Sequence, residues 1–232
     1  MNDRITIAGR NGSFSAYIAR PNASAASAVV VLQELFGVNG DIREHCDELA
    51  EQGYLAVAPD LFWSQEPGVD LSVRSAVDWD HGLRLYQAYD RDAGAEDIED
   101  TVETVASLPE CNGRVAVLGY CPGALMAFIT SARSRGIAAT VAFHGGDTEK
   151  YLKEVPALDA PLLMHLAGED EFMPKDAQAQ IKAALAGKSK AIIYTYSGQR
   201  HAFSRHNGEH YNAEAAALAN ERTSEFLCQT LS

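Results

Sequence analysis

Cysteine is scarce in this sequence, and the few cysteines are widely spaced. The 232 residues include four of them, Cys46, Cys111, Cys121 and Cys228, with no Cys-x-x-Cys pair. A zinc knuckle and a thioredoxin-type redox site both need such a pair, so neither kind of site is indicated. We therefore expect all four side chains to be reduced thiols.

The sequence also lacks an excess of basic residues and a long hydrophobic run. Lysine and arginine total 19 against 32 acidic residues, which gives a net charge of -13. This balance argues against nucleic acid or an anionic membrane as the main partner. No apolar run approaches the roughly 18 residues that cross a bilayer, and the first 21 residues alternate like a strand pair rather than a signal peptide. These absences predict a cytoplasmic protein.

No repeat, low-complexity tract or long linker divides the chain. Hydrophobic residues make up 47% of it, which is enough for one large core. We expect a single α/β domain over residues 1–232. Residues 64–82 are polar and irregular, and they predict a surface excursion that could cap a site.

Strand-like and helix-like segments alternate through the rest of the sequence. Strands that are apolar on both faces and separated by helices predict a mostly parallel central sheet with helices on both faces. Besides the N-terminal pair, the predicted strands are residues 28–37, 54–62, 115–120, 139–146, 160–170 and 190–198. The predicted helices are residues 41–53, 95–108, a segment after Cys121, residues 176–186, and a last helix from about residue 212.

The first predicted helix carries start and stop signals. Asp41-x-x-Glu44 resembles a capping box, in which two side chains satisfy free N–H groups at a helix start. Gly53 is placed to end the last turn.

Three polar residues follow the carboxyl ends of three predicted strands. They are Cys121, Asp170 and His201, in the chain order nucleophile, acid, histidine. In parallel sheets ligands bind at this edge, so these side chains are candidates for one site.

Cys121 lies in a G-x-C-x-G sequence between a strand and a helix, with Gly119 and Gly123 on either side. The pattern matches the nucleophile elbow of α/β-hydrolases with cysteine in place of serine. A Cβ on either flank would crowd the neighbouring strand and helix. The positive end of the helix dipole favours the thiolate, and a histidine with a carboxylate partner would complete a nucleophilic triad.

Neighbouring residues compete for two of these roles. Glu169 and Glu171 are rivals for the triad acid, and His206 and His210 are rivals for the base. Position just after a strand favours His201. The histidine spacing is not that of a His-Glu-x-x-His motif, so no metal site is predicted.

Five segments resemble the dienelactone hydrolases, also called carboxymethylenebutenolidases: QELFGVNGDIRE, GYCPGALMAF, LAGEDEFMP, HAFSR and AAALANERTSEFL, in the same order over nearly the whole chain. The resemblance implies an α/β-hydrolase fold in a monomeric protein that opens small lactones or activated esters. It also implies that Cys121, Asp170 and His201 form the triad and that no cofactor or metal is needed.

The resemblance gives a role to Glu34, which matches a glutamate that accepts the thiol proton or hydrogen bond in one state and swings away in another. From the residues alone, an acid directly after a buried strand is unusual unless it faces a cleft. The next residue, Leu35, would lend its backbone N–H to the oxyanion hole.

Pro122 departs from this pattern, because the residue after the nucleophile usually supplies the second oxyanion donor and proline has no N–H. Losing one donor typically costs on the order of 100-fold to 1000-fold in turnover. The Gly123 N–H or the His144 side chain could replace it. Alternatively, the hole is weakened and the protein is a slow esterase or binds a small molecule. A thiol redox sensor is less favoured, since no resolving cysteine lies near in sequence.

The remaining candidates concern substrate binding. Arg205 matches an arginine that binds the substrate carboxylate, whereas Trp79 stands where a second arginine is expected. The lost charge predicts a less anionic or bulkier substrate. Phe36, Trp79 and Tyr86 are expected to line the pocket, together with His144.

Overall fold

The computed structural model describes residues 3–22 and 25–232, which form an eight-stranded sheet and its covering helices. The strands are β1 (Arg4–Gly9), β2 (Gly12–Ala19), β3 (Ala26–Leu32), β4 (Leu55–Pro59), β5 (Cys111–Tyr120), β6 (Ala139–Phe143), β7 (Leu162–Ala167) and β8 (Ala191–Tyr196). The helices are α1 (Gly40–Glu51), α2 (Ala76–Ala88), α3 (Arg91–Ala106), α4 (Pro122–Arg133), α5 (Lys175–Leu185) and α6 (Ala213–Leu231), and a 3-10 helix spans Thr148–Ala157.

The sheet has the order β1-β2-β4-β3-β5-β6-β7-β8 and is mostly parallel, which confirms the predicted α/β class. Only the N-terminal hairpin β1-β2 and the pair β2-β4 run antiparallel among the described strands. The parallel register places Leu32 beside Gly119 and Tyr120 beside Phe143. The strands that precede the site residues therefore end at one common edge.

Helices cover both faces of the sheet because successive side chains of each central strand point to opposite sides. Val30 and Leu32 of β3 pack in the core beneath α3, α4 and α5. Val29 and Val31 pack in a second core beneath α1 and α6. No helix within the described ranges is both long enough and apolar enough to cross a membrane.

The chain leaves the sheet earlier than predicted after β3. The strand ends at Leu32 rather than continuing to residue 37. Gln33 turns away, and its side-chain oxygen accepts a hydrogen bond of 3.1 Å from the backbone N–H of Leu61. This buried turn carries Glu34 to the carboxyl edge of the sheet.

The capping box expected at Asp41 and Glu44 was wrong. Helix α1 begins one residue before Asp41, and Asn39 is its cap, since its side-chain oxygen accepts a hydrogen bond of 3.2 Å from the N–H of Ile42. Gly53 follows the helix with a φ of 97°, which confirms its predicted role as a stop.

The predicted excursion at residues 64–82 is only partly irregular. Helix α2 begins inside it at Ala76, where Ser75 caps the first turn by accepting a hydrogen bond of 3.2 Å from Asp78 N–H. Gly82 of this helix lies against the Leu35 carbonyl so closely that a Cβ there would collide with it. This approach brings α2 over the carboxyl edge of the sheet, where it can cover a site.

Candidate active site

Cys121 occupies the sharp turn between β5 and α4. Its φ of 54° and ψ of -118° lie outside the regions that residues other than glycine favour, a conformation that typically costs about 1–3 kcal/mol. The backbone N–H donates a hydrogen bond of 3.0 Å to the Phe143 carbonyl, and the Cys121 carbonyl accepts one of 3.0 Å from Ala124. The strained turn presents the thiol at the carboxyl edge of the sheet.

The two flanking glycines make this turn possible. A Cβ at Gly123 would collide with the carbonyls of Leu32 and Gln33, and a Cβ at Gly119 would collide with the backbone of Gly123. Helix α4 can therefore start in contact with the end of β3 only if both positions lack side chains. The steric reason inferred from the sequence is confirmed.

The three chain-distant candidates converge beside this turn. The Nε2 atom of His201 lies 3.1 Å from the Cys121 sulfur, and its Nδ1 atom lies 3.0 Å from each carboxylate oxygen of Asp170. Asp170 is fixed in turn, because its Oδ1 accepts hydrogen bonds of 2.8 Å from Phe172 N–H and 3.1 Å from Met173 N–H. Sulfur, imidazole and carboxylate thus form one continuous chain.

Electrostatics favour the charged form of the imidazole in this chain. Burial alone disfavours a charged His201, but the adjacent Cys121 sulfur and the Asp170 carboxylate outweigh it and raise the pKa of His201 to about 10. The arrangement at neutral pH is therefore an imidazolium held between the Cys121 sulfur and the Asp170 carboxylate. A thiolate is the nucleophilic form of cysteine.

The rival acids and histidines do not join this chain. Glu171 accepts hydrogen bonds from Arg200 at 2.9 Å and from the backbone N–H of His201 at 3.3 Å. Glu169 forms an ion pair of 2.9 Å with Lys175. Of the rival histidines, His210 donates from Nδ1 to the His201 carbonyl at 3.0 Å and so supports the backbone rather than the sulfur.

A cavity of about 250 Å³ opens beside the sulfur. Its wall is mostly apolar and aromatic, with Asp147 as its acidic side chain and His201 and Arg205 as its basic ones. The lining residues are Leu35, Trp79, Leu83, Tyr86, Cys121, Pro122, Gly146, Asp147, Phe172, His201 and Arg205.

Comparison with known proteins identifies the family. A sequence model described as the dienelactone hydrolase family matches residues 14–231. The chain belongs to the dienelactone hydrolase family. It is 35% identical over 228 residues to a carboxymethylenebutenolidase of Pseudomonas putida, covering 98% of this chain and 96% of that one. It is 32% identical to carboxymethylenebutenolidase 1 of Cupriavidus pinatubonensis, covering 98% and 97%.

Solved structures confirm the α/β-hydrolase fold. A dienelactone hydrolase-like promiscuous phosphotriesterase from metagenomic libraries matches with a TM-score of 0.83 at 18% identity, over 99% of this chain and 98% of that one. With the family established, the chain is a hydrolase that acts on carboxylic ester or lactone bonds of small molecules.

In this member of the family, Glu34 and Arg205 bind each other. Arg205 donates two hydrogen bonds of 2.6 Å, from Nε and one terminal nitrogen, to the two carboxylate oxygens of Glu34. Both residues are buried: Arg205 is 8% exposed and Glu34 is 4% exposed. Arg205 reaches the cavity wall as expected, but its charge is compensated inside the protein, so the predicted site for a substrate carboxylate is already paired.

Two predicted pocket residues lie outside the wall. Phe36 is fully buried and supports Trp79 from behind, with ring centroids 4.9 Å apart in an edge-to-face arrangement. His144 is 1% exposed and packs edge-to-face against His201, with centroids 4.6 Å apart. Neither contributes a cavity surface, because each is covered by the residue it supports.

The predicted aromatic residues Trp79 and Tyr86 do line the cavity, and both project from α2. Trp79 donates from its indole nitrogen to the Val73 carbonyl at 2.8 Å, and the Tyr86 hydroxyl donates to Asp147 at 3.1 Å. These hydrogen bonds fix each ring at its polar end while the apolar faces remain in the wall.

Sequence reasoning missed Phe172 and Asp147. Phe172 is 53% exposed, and its ring lies edge-to-face 4.8 Å from that of His201. Asp147 follows β6 with a φ of 68° and forms an ion pair of 2.6 Å with Lys150. The only sequence signal was their position after strand ends, which they share with the triad candidates.

Of the two predicted oxyanion donors, Leu35 lies in the wall. Gly123 is not among the described residues that line the cavity, and its Cα faces Leu32 and Gln33. Pro122 does line the cavity and begins α4, where its missing N–H leaves no intrahelical hydrogen bond unmade.

Proposed function

We propose that this hydrolase opens small uncharged lactones and activated esters through a covalent thioester on Cys121. The observation that carries the proposal is the contact of 3.1 Å between the Cys121 sulfur and His201 Nε2, with Asp170 on the other ring nitrogen, in the wall of a cavity. A nucleophile, a base and an orienting acid within hydrogen-bond reach support acyl transfer.

The first half of the reaction forms the thioester. The Cys121 thiolate attacks the acyl carbon, and the C–O bond of the ester breaks when the tetrahedral intermediate collapses. His201 donates the Nε2 proton to the departing oxygen, which in a lactone remains tethered to the acyl group. Asp170 keeps the imidazole oriented and stabilises its positive charge through the contacts of 3.0 Å.

The second half hydrolyses the thioester. Neutral His201 accepts a proton from a water molecule, the resulting hydroxide attacks the acyl carbon, and the C–S bond breaks. The products are a carboxylic acid and the restored thiolate facing an imidazolium. No redox partner takes part, since the net reaction adds one water across one C–O bond.

The site has fewer hydrogen-bond donors for the oxyanion than the usual two. Leu35 lines the cavity and is the proposed first donor, but the position after the nucleophile is proline and has no N–H to donate. We expect slower turnover than a site with two donors would give, by on the order of 100-fold.

The cavity wall supports an uncharged substrate. Besides His201, Arg205 is its basic residue, and the Arg205 Nε and one terminal nitrogen each donate a hydrogen bond of 2.6 Å to Glu34. Trp79 and Phe172 add aromatic surface, while Asp147 would repel an anion. These features favour an apolar or aromatic acyl group over one that bears a carboxylate.

Cysteine alkylation with a matched control tests the proposal. We expect Cys121→Ala to lose at least 1000-fold in p-nitrophenyl acetate hydrolysis, whereas Cys228→Ala, which removes an exposed thiol, keeps full activity. Iodoacetamide should inactivate the wild type in step with labelling of Cys121 in the mass spectrum. Unchanged turnover in Cys121→Ala, or activity that survives complete labelling, would refute the proposal.

A further inference from the structure

A second cluster of titratable side chains lies on the α1 side of the sheet, away from the cavity. His45 and Glu48 are three residues apart on α1 and share one helix face. His206 comes from the loop after β8. One ligand atom from each of the three residues can be chosen so that all lie within 4.8 Å of one another.

Two nitrogen-to-oxygen distances in this cluster are longer than the usual hydrogen bond. His45 Nδ1 lies 3.4 Å from Glu48 Oε2, and His206 Nε2 lies 3.6 Å from Glu48 Oε1. Nitrogen-to-oxygen hydrogen bonds are typically about 2.7–3.2 Å long. Ligands placed about 2.0–2.1 Å from a tetrahedral zinc ion are separated by about 3.3 Å, which these two distances approach. The ligand atoms of His45 and His206 lie no more than 4.8 Å apart.

Neighbouring side chains contact both imidazoles of this cluster, those of His45 and His206, and favour their use as metal ligands. The His45 ring is stacked on Tyr120 with centroids 4.5 Å apart and an angle of 12°, which fixes its orientation. The other nitrogen of His206, Nδ1, is buried without a hydrogen bond and lies 3.2 Å from Glu44. A carboxylate at this position supports a metal-bound histidine by accepting the proton on its second nitrogen.

We propose that His45, Glu48 and His206 bind one divalent transition-metal ion, with Glu44 supporting His206 from outside. Two imidazole nitrogens and one carboxylate are a donor set that suits Zn²⁺, with a fourth position open to water. Glu48 and His206 keep 41% and 20% side-chain exposure, so an ion can enter from solvent. The proposed ion takes no part in acyl transfer.

The site would tie together two segments that also carry active-site residues. His206 follows Arg205 directly, and Tyr120, on which His45 is stacked, directly precedes Cys121. A bound ion would cross-link α1 to the loop after β8. We therefore expect bound metal to raise the thermal midpoint of the protein, as any ligand of the folded state alone does.

Zinc titration of the full chain tests the proposal. The background variant is Cys121→Ala, because a thiol beside an imidazole can itself bind zinc. We expect calorimetry with zinc chloride to show one site per chain, lost in Glu48→Gln and in His206→Gln. His81→Gln, which removes an exposed imidazole 2.8 Å from Glu66, is the matched control and should bind like the background protein.

Two further measurements separate a metal site from a mere histidine–carboxylate contact. Glu44→Gln should weaken zinc binding about 10-fold to 100-fold without abolishing it. Cobalt bound in place of zinc should give the visible absorption of a four-coordinate ion, and this absorption should vanish in His206→Gln. Circular dichroism of each metal-free variant checks that it is folded. Absence of a stoichiometric site, or equal binding in the variants and the control, would overturn the proposal.

Discussion

Arg205 holds Glu34 by two hydrogen bonds of 2.6 Å, and this buried pair stands at the edge of the cavity. An arginine bound to a carboxylate on both engaged nitrogens is largely compensated in charge. The resemblance assigned Glu34 to the thiol and Arg205 to the substrate. In this structure the two side chains bind each other, which corresponds to the predicted state in which the glutamate has swung away from the thiol.

Releasing Arg205 should therefore change substrate preference. In Glu34→Gln the side chain keeps its shape but loses its charge, so Arg205 gains an uncompensated positive charge in the wall. We expect KM for an ester bearing a carboxylate to fall about tenfold relative to its neutral analogue, about 1.4 kcal/mol of added binding. Steady-state kinetics with the two substrates measure the ratio.

Glu66→Gln, which neutralises an exposed carboxylate, controls for the change in net charge and should leave the ratio unaltered. The same kinetics distinguish the two roles considered for Glu34, pairing with Arg205 and acting on the Cys121 thiol. If Glu34→Gln lowers turnover equally for both substrates and leaves the KM ratio unchanged, the glutamate acts on the nucleophile and not on the arginine.

Much of the site could be predicted from the sequence because parallel strands end together. Cys121, Asp170 and His201 each follow a strand, and the sheet brings these ends to one edge, so strand position marked all three as candidates. It did not separate Asp170 from its neighbours Glu169 and Glu171. The partner of Glu34 could not be predicted, since the choice depends on a side-chain direction within a turn. The position of His45 beside His206 could not be predicted either, because it depends on how α1 packs on the sheet.

The Asp170 carboxylate should set the alkaline limit of activity. His201 must carry a proton to release the leaving group, so activity falls as pH rises through its pKa, which is about 10. Asp170→Asn removes one of the groups that raise this pKa, so the fall should begin at lower pH. The pH profile of kcat/KM, corrected for spontaneous hydrolysis, measures the shift.

Asp159→Asn is the matched control for this profile, because its carboxylate is 93% exposed and lies outside the cavity wall. It should keep the alkaline limb of the wild type. If the limb in Asp170→Asn stays at the wild-type position, Asp170 does not stabilise the imidazolium.

Restoring an N–H after the nucleophile should accelerate the reaction. Pro122→Ala supplies the donor that proline lacks and keeps a small side chain at the start of α4. Because a single oxyanion donor typically contributes about 100-fold or more, we expect kcat to rise at least tenfold with little change in KM. A gain of less than twofold in stopped-flow acylation would show that another donor already serves the oxyanion.

Pro174→Ala provides the comparison for this substitution, since Pro174 precedes α5 much as Pro122 begins α4 but lies outside the cavity wall. Its kcat should equal that of the wild type. A gain in both variants would point to looser helix starts rather than to a new donor.

Burial of His165 should make the protein lose stability in mild acid. Burial, with a smaller contribution from Arg222, lowers the pKa of His165 to about 3, so the folded state stays neutral where the unfolded state, near 6.5, takes up a proton. The contribution of the neutral His165 to the free energy of unfolding is complete above pH 6.5. It is lost as pH falls, by about 1.4 kcal/mol per pH unit, or about 2.7 kcal/mol at pH 4.5.

Urea unfolding of His165→Gln tests this contribution. We expect the free energy of unfolding of the variant to decline less steeply with falling pH than that of the wild type. The two proteins compared at pH 7.5, where neither state binds this proton, isolate the cost of losing the hydrogen bonds to Tyr196 and Thr223. Equal declines below pH 6.5 would show that His165 is protonated in the folded protein, and acid sensitivity would then have to arise elsewhere.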